Sequence, residues 1–519
     1  MLFRSQIFTL IATLVVIASA SQSLDAIRIE VPADLNAEAF NIEPLGNNGV
    51  IIFYVSNELD SESKRKWYFG LFDTDLNQQW LKFVSLTDNL EYITTRKSKN
   101  KIYFLFKNSA NDRSERGYYE IVTYEIKNQS FTKITGSIPG KAEYAGFDII
   151  DDMACLALNL KKRETDLVFI NLNNGELTPV NIDKGIPGFI HSVYSETKSK
   201  RFYIAMKQNV NRRYISEHIL AYSKLGEKIF NLKISNTEPL KYFDDFTFIS
   251  DGFEDVSVMG TYSIITGKNL SFKDVEDNDE DRSAGMFFLN LSGQNQETLK
   301  YHDFMGFENI TGAIGIDNFK TSKLTVDSAN SAKNMVTVAF NLNNPLVYRS
   351  PNSNYIFSVE VYQPYYRTET RMDYDFYGRP YPYTYNIFSG YDFYDVIVAG
   401  ISEKGDLIWS NDFRIEDMLT YSLKRKSVVF NDDNFITLAY VNNGNVISQT
   451  VEGPADIDRN TMKIGTDFPQ DKVTQEENSH IVSWYDDVFL IYGYQKLRNR
   501  TLEDKSTRNI FYINKIAYK

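Results

Sequence analysis

Val50-Ile51-Ile52-Phe53-Tyr54-Val55, then Trp67-Tyr68-Phe69-Gly70-Leu71-Phe72, then Asp73-Thr74-Asp75-Leu76-Asn77, then Trp80-Leu81-Lys82-Phe83-Val84 is the stretch that decides the fold. Short β-branched and aromatic runs are separated by polar residues and a tight Asp/Asn turn. That pattern reads as consecutive antiparallel strands joined by hairpins. The same unit returns at Lys101 to Phe106 with Tyr118 to Ile126, at Cys155 to Leu160 with Asp166 to Leu172, and at Arg201 to Met206 with Tyr214 to Tyr222. Helical periodicity is almost absent after the first twenty residues.

The turns are spaced regularly. Asp75, Asn128, Gly175, Gly226, Gly293, Gly405 and Gly444 mark outer hairpins at intervals of 53, 47, 51, 67, 112 and 39 residues. A period of about 40–50 residues carrying four short strands points to an all-β chain, a β-propeller of seven or eight four-stranded antiparallel blades. One such sheet cannot bury both faces alone, whereas sheets packed around an axis can. The interval of 112 is about two periods, with Asn343-Asn344-Pro345 as a turn between them. Blades are expected near 41–86, 91–136, 144–182, 190–233, 245–303, 335–412, 426–465 and 480–517. The last is one strand short, and Ala26 to Val31 can supply that strand and close the ring, removing an unpaired edge. The alternative architecture is two stacked β-sandwich domains.

The segment Ala399-Gly400-Ile401-Ser402-Glu403-Lys404-Gly405-Asp406-Leu407-Ile408-Trp409, with Phe72 to Trp80, resembles the outer hairpins of quinoprotein-type propeller repeats. Ala399, Gly405 and Trp409 match the docking pattern, but Ile401 and Lys404 stand where Asp and Thr belong. The resemblance therefore implies propeller architecture and no quinone cofactor. The chain after residue 20 also resembles uncharacterised exported propeller-like bacterial proteins, which implies no activity.

The amino terminus reads as a signal peptide over residues 1–20. Arg4 supplies the positive region, Ile7 to Ile17 the apolar region, and Ala18-Ser19-Ala20 the small-residue cleavage pattern. That apolar run is too short to span a bilayer of about 30 Å, and no later run is long enough either. The expectation is an exported bacterial protein, periplasmic or extracellular, cleaved after Ala20. Residues 21–519 would form a single propeller domain with insertions near 263–285 and 361–395. Among 519 residues, 56 are Lys or Arg and 68 Asp or Glu, a net charge of −12. An acidic balance argues against a nucleic-acid partner, because phosphate binding needs excess cations. The lone Cys155 excludes an intrachain disulfide framework and a multi-cysteine metal site.

Sequence signals for catalysis are weak. His191, His218, His302 and His480 show no paired spacing, so no metal site is assigned to them. No Gly-x-Ser-x-Gly elbow occurs. Cys155 lies in the apolar run Met153 to Ala157 and reads as core. The pairs Asp151-Asp152, Asp244-Asp245, Asp432-Asp433 and Asp486-Asp487 could serve a glycosidase, but each reads as a turn. Calcium at Asp73/Asp75 or in the acidic run 274–281 is left open. No cofactor is expected.

The distinctive feature is aromatic. Between Val361 and Asp395 lie Tyr362, Tyr365, Tyr366, Tyr374, Phe376, Tyr377, Tyr381, Tyr383, Tyr385, Phe388, Tyr391, Phe393 and Tyr394, with Arg367, Arg371 and Arg379 among them. Tyr and Arg anchor protein interfaces, and Tyr faces stack on sugar rings. The expected function is a non-enzymatic protein-binding or scaffolding module. Its contact surface would be a Tyr/Arg-rich loop carrying Tyr365, Tyr366, Arg367, Tyr374, Tyr377, Arg379, Tyr381, Tyr383, Tyr385 and Tyr391. The alternative is a carbohydrate-binding or glycoside-processing propeller, so the expected partner is a protein or a glycan.

Overall fold

The quoted apolar runs become middle strands of four-stranded antiparallel sheets, except Trp80 to Val84, which lies in the outer strand of blade 1. The computed structural model describes residues 27–517 apart from 34–39, 109–115, 183–184, 210–214, 239, 251–254, 265–281, 311–312, 314–321, 329–330, 351–353, 433–434, 469 and 503–505. Residues 1–20, read above as a signal peptide, and the acidic run 274–281 lie outside the described residues. Seven sheets are built from consecutive strands at 40–86, 90–139, 143–181, 188–233, 241–303, 341–420 and 427–463. The eighth takes Lys472–Tyr485, Val488–Arg498 and Thr507–Ala517 from the carboxyl end and Ile27–Pro32 from the amino end. The protein is thus an eight-bladed β-propeller closed by its N-terminal strand.

Burial explains why the runs are continuous rather than alternating. Met153–Asn159 is buried at every position, because neighbouring blades cover both faces of a central strand. Among the described residues, eight apolar clusters sit at the eight blade-to-blade junctions. One joins blades 1 and 2 through Phe53, Phe69, Phe104 and Tyr124. The cluster that completes the circuit joins blade 8 to blade 1 through Leu490, Phe511, Ile513, Val50 and Ile52. First strands of successive blades contact one another, which places them around the axis. Outer strands face water: Ala455–Lys463 is exposed at all but one position.

Polar groups hold the closing strand. Arg28 donates to Glu30 at 2.8 Å, Asn514 at 2.7 Å and Gln495 at 2.9 Å, and lies over the Tyr512 ring. Arg508 bridges Glu30, at 3.0 Å, to the fully buried Asp471 side chain. The strand nearest the amino end pairs antiparallel with the last strand, Ile27 opposite Lys515 and Pro32 opposite Ile510.

Two expectations about the middle of the chain need correction. Asn343-Asn344-Pro345 is not a turn between blades but a bulge in the inner strand Asn341–Arg349 of blade 6. The 112-residue interval therefore holds one blade with a long extension and a separate hairpin, Ser322–Ser328 with Ser331–Thr337, not two periods. Blade 6 accordingly runs to Thr420 and not to 412. Blade 5 departs from regularity too: its inner position is split into Lys241–Phe243 and Thr247–Ser250, which both pair with Asp255–Ile264. Asp244 and Asp245 sit in that break.

The Ala399–Trp409 segment does form the outer hairpin of blade 6. Ser402 N–H donates to the Asp406 carbonyl and Gly405 N–H to the Ser402 carbonyl. Gly405 has φ +80° and abuts the Phe288 ring of blade 5, so a β-carbon there meets both backbone strain and a clash.

Candidate functional site

The aromatic segment is not a loop. It is the outward continuation of the second and third strands of blade 6, Tyr355–Tyr374 and Pro380–Ile401. The first strand of the blade stops pairing at Tyr362, and the fourth strand at Tyr391. Beyond these points the two strands continue alone from Tyr365 opposite Gly390 to Tyr374 opposite Pro380. At about 3.3 Å per residue this ribbon extends roughly 30 Å. Its tip is a tight turn in which the Asp375 carboxylate accepts from Tyr377 N–H at 2.9 Å and Arg379 N–H at 2.8 Å, with Gly378 at φ +72°.

Its prolines explain how a ribbon can carry a breaker-rich sequence. Asp375 N–H donates to the Arg379 carbonyl, so Asp375 and Arg379 form a hydrogen-bonded pair. In an antiparallel ladder such pairs alternate. Tyr374/Pro380 and Met372/Pro382 are therefore non-bonded pairs, and both prolines place their missing N–H on the ribbon's outer edge, where no donor is needed.

Cross-strand partners share a face, so the register distributes the predicted residues. One face carries Arg367, Glu369, Arg371 and Asp373 opposite Ile387, Tyr385, Tyr383 and Tyr381. There the Tyr383 and Tyr385 rings stack 5.9 Å apart at 20°, and the Arg371 guanidinium lies over both. Arg367 pairs with Glu369 at 2.9 Å. The opposite face carries Tyr366 and Tyr374, with Tyr366 against Phe388 and Phe388 near Tyr421. Tyr377 and Arg379 lie at the tip, beside Phe376, which is 97% exposed. Tyr365 is exposed near the root, while Tyr391 is half-buried there against Tyr362. The ten residues thus occupy two faces and a tip, and do not converge on one pocket. The Tyr side chains do not cover the blade edge: Tyr374 and Tyr377 are 66% and 78% exposed.

The remaining chemical candidates are accounted for by local partners. Among the described residues, no group of three or more His, Cys, Asp or Glu side chains is arranged to hold a metal ion. The Asp73 carboxylate accepts from Asp75 and Asn77 N–H groups and from the Gln79 amide, a satisfied turn. Cys155 is buried, and burial pushes its thiol up. Asp151 is a turn residue bridging Lys99 and Lys200. Around the axis, Glu43 pairs with Lys97 at 2.7 Å and Asp148 with Arg96 at 3.6 Å. A cavity of about 170 Å³ near the axis is lined by Phe40, Tyr92, Lys424, His480 and Tyr492. Burial pushes His480 down to about 3, and its Nδ1 lies 3.1 Å from the Arg425 carbonyl.

Sequence reasoning missed one buried cluster. Asp244 and Asp245 sit in the break of the blade 5 inner strand, Asp244 half-buried and Asp245 exposed. Burial, with Lys207 opposing, holds the Asp244 carboxyl up at about 6, and it accepts from Ser263 and Ser283. Nearby, Glu217 has no hydrogen-bond partner at either carboxyl oxygen, and burial pushes it up to about 8. His191 Nε2 lies 3.9 Å from it, in an imidazole that burial keeps neutral. The available signal was a charged residue inside a buried strand: Lys207 and Glu217 are direct cross-strand partners.

No family model matches the chain, and no curated protein matches it. Solved structures similar to it include a polysaccharide lyase at 9% identity, covering 82% of this chain and 89% of that one, with a TM-score of 0.38. The periplasmic gluconolactonase of Pseudomonas aeruginosa is 10% identical, covering 85% and 100%, with a TM-score of 0.38. The β-propeller domain of the Trilobed protease from Pyrococcus furiosus is 10% identical, covering 83% and 100%, with a TM-score of 0.33. At such identities these likenesses carry no argument about activity.

Proposed function

We propose that the chain is an exported, non-enzymatic β-propeller that binds another macromolecule through the blade 6 ribbon. The observation that carries this reading is the ribbon itself. A two-stranded sheet with neither face covered is marginal in water, yet this one exposes Tyr366, Met372, Tyr374, Phe376 and Tyr377 together. Exposed aromatic clusters of this kind mark contact surfaces. The ring supplies a rigid base. In an up-and-down blade the turn between the second and third strands leaves from the same end as the linker to the next blade, so the ribbon stands on the linker face. Two inner-strand carboxylates, Glu43 and Asp148, are engaged by Lys97 and Arg96.

Photo-crosslinking tests this directly. A benzophenone side chain at Tyr377 is expected to capture a macromolecular partner in cell-envelope extract, and the same group at the exposed Phe83 of blade 1 is not. Equal capture at both positions, or none at Tyr377, contradicts the reading.

The second reading is a glycan-binding propeller, favoured by the stacked Tyr383–Tyr385 pair. A glycan array with a hydrolysis screen separates the readings. Binding without turnover identifies a lectin, and turnover an enzyme.

A further inference from the structure

We propose that the partner of the ribbon's free edge is a second copy of this chain, paired antiparallel about Thr370. This deepens the contact-surface reading above and rests on it. The ribbon has two edges without a partner strand, and they are not equivalent. On the strand 380–390 the outward-pointing positions include Pro380 and Pro382, which cannot donate. On the opposite strand the alternation places Tyr366, Thr368, Thr370, Met372 and Tyr374 with their N–H and C=O groups directed outward. That edge contains no proline, and no described strand pairs with it past Tyr362.

Its sequence is Tyr366-Arg367-Thr368-Glu369-Thr370-Arg371-Met372-Asp373-Tyr374. Laid antiparallel on itself about Thr370, it sets Arg367 opposite Asp373 of the other copy and Glu369 opposite Arg371. Tyr366 then faces Tyr374. Each opposition occurs twice by two-fold symmetry, as an isologous contact requires. The ion pairs fall at non-bonded positions, where opposed side chains lie closest, and the outward groups at the even positions can form about ten backbone hydrogen bonds.

Other registers are penalised. Centring on Glu369 or Arg371 puts like charges directly opposite, and parallel in-register pairing stacks Arg on Arg and Glu on Glu. The segment is neutral overall within a chain of net charge −12, so pairing here avoids the repulsion that the rest of the surface imposes. In the single copy, Arg367–Glu369 and Arg371–Asp373 pairs already hold these side chains extended on one face, at 2.9 and 3.9 Å. The product is a four-stranded sheet bridging two propellers.

Sedimentation velocity of residues 21–519 between about 1 and 100 μM tests the proposal, with melting curves to confirm folding. The wild type is expected to form dimers in a concentration-dependent manner. Thr370→Pro removes an outward N–H and no backbone bond within the ribbon, losing there only the exposed hydroxyl contact between Thr370 and Thr384 at 3.1 Å, and is expected to be monomeric with a nearly unchanged melting temperature. Arg371→Glu sets Glu opposite Glu369 twice and should weaken association at least tenfold, and adding Glu369→Arg should restore it. A wild type monomeric up to 100 μM overturns self-pairing, as does a dimer indifferent to Thr370→Pro and Arg371→Glu. Failure here is distinguishable from failure of the broader reading, because foreign adducts at Tyr377 report on that reading in a monomer as well.

Discussion

Replacing Asp471 by alanine is expected to cost about 3–5 kcal/mol of stability, the loss typical of breaking a buried ion pair from one side. The Asp471 side chain is fully buried and accepts from Arg508 and, at 2.9 Å, from the Asn499 amide. Without it, Arg508 keeps Glu30 alone, at 3.0 Å, and the seam between the N-terminal strand and blade 8 loses its fixed point. Burial pushes the Asp471 carboxyl up, but the Arg508 and Asn499 hydrogen bonds and the Arg508 charge outweigh it and hold it below its ordinary value. A carboxyl depressed in the folded state stabilises above the unfolded value near 4, and that contribution disappears as pH falls through the folded value. Urea denaturation at pH 7 should therefore show a large loss for Asp471→Ala, shrinking below about pH 4. A loss under 1 kcal/mol at pH 7 would show that the seam does not hold the ring closed.

Glu217→Gln is expected to do the opposite. Both Glu217 carboxyl oxygens lack hydrogen-bond partners, so the amide replaces nothing that was satisfied. Burial raises the folded carboxyl to about 8, with Lys207 lowering it and Asp244 raising it. The unfolded value is about 4.3. A folded value above the unfolded one means that wild-type stability declines as pH rises from about 4.3 to about 8, where the decline levels off. Glutamine removes that dependence. The variant should gain on the order of 2–4 kcal/mol at pH 8 and almost nothing at pH 4. Denaturation at these two values checks the sign; equal effects at both would place the charge cost elsewhere.

The architecture was legible because each blade buries both faces of its middle strands. Runs such as Met153 to Leu158 and Ile102 to Phe106 stay apolar without alternation, and the outer turns recur at blade spacing. The missing strand of blade 8 was legible from Ala26 to Val31, where Ile27, Ile29 and Val31 alternate with Arg28 and Glu30. Where the reading failed, a local signal was overridden by context. The proline-bearing Tyr/Arg segment was read as a loop, yet the i, i+2 spacing of Pro380 and Pro382 leaves the ladder intact. Asn343-Asn344-Pro345 has turn chemistry but is absorbed as a bulge. Asp244-Asp245 read as a turn, and the break in the inner strand of blade 5 leaves Asp245 exposed while Asp244 turns towards Ser263 and Ser283. Charges inside buried strands, as at Lys207 and Glu217, reveal a cluster only when the blades that face them are known.

The central claim is that ring and ribbon have separate duties, the ring folding and the ribbon binding. Replacing Tyr366 to Phe388 by a short Gly/Ser turn, with Gln363 opposite Asp392 still closing the blade, tests it in one protein. An unchanged cooperative melt is expected together with loss of association and of partner capture, read with the benzophenone moved to Tyr421 beside the ribbon root. Full partner capture by the shortened chain, or a collapse of the melt, would contradict it.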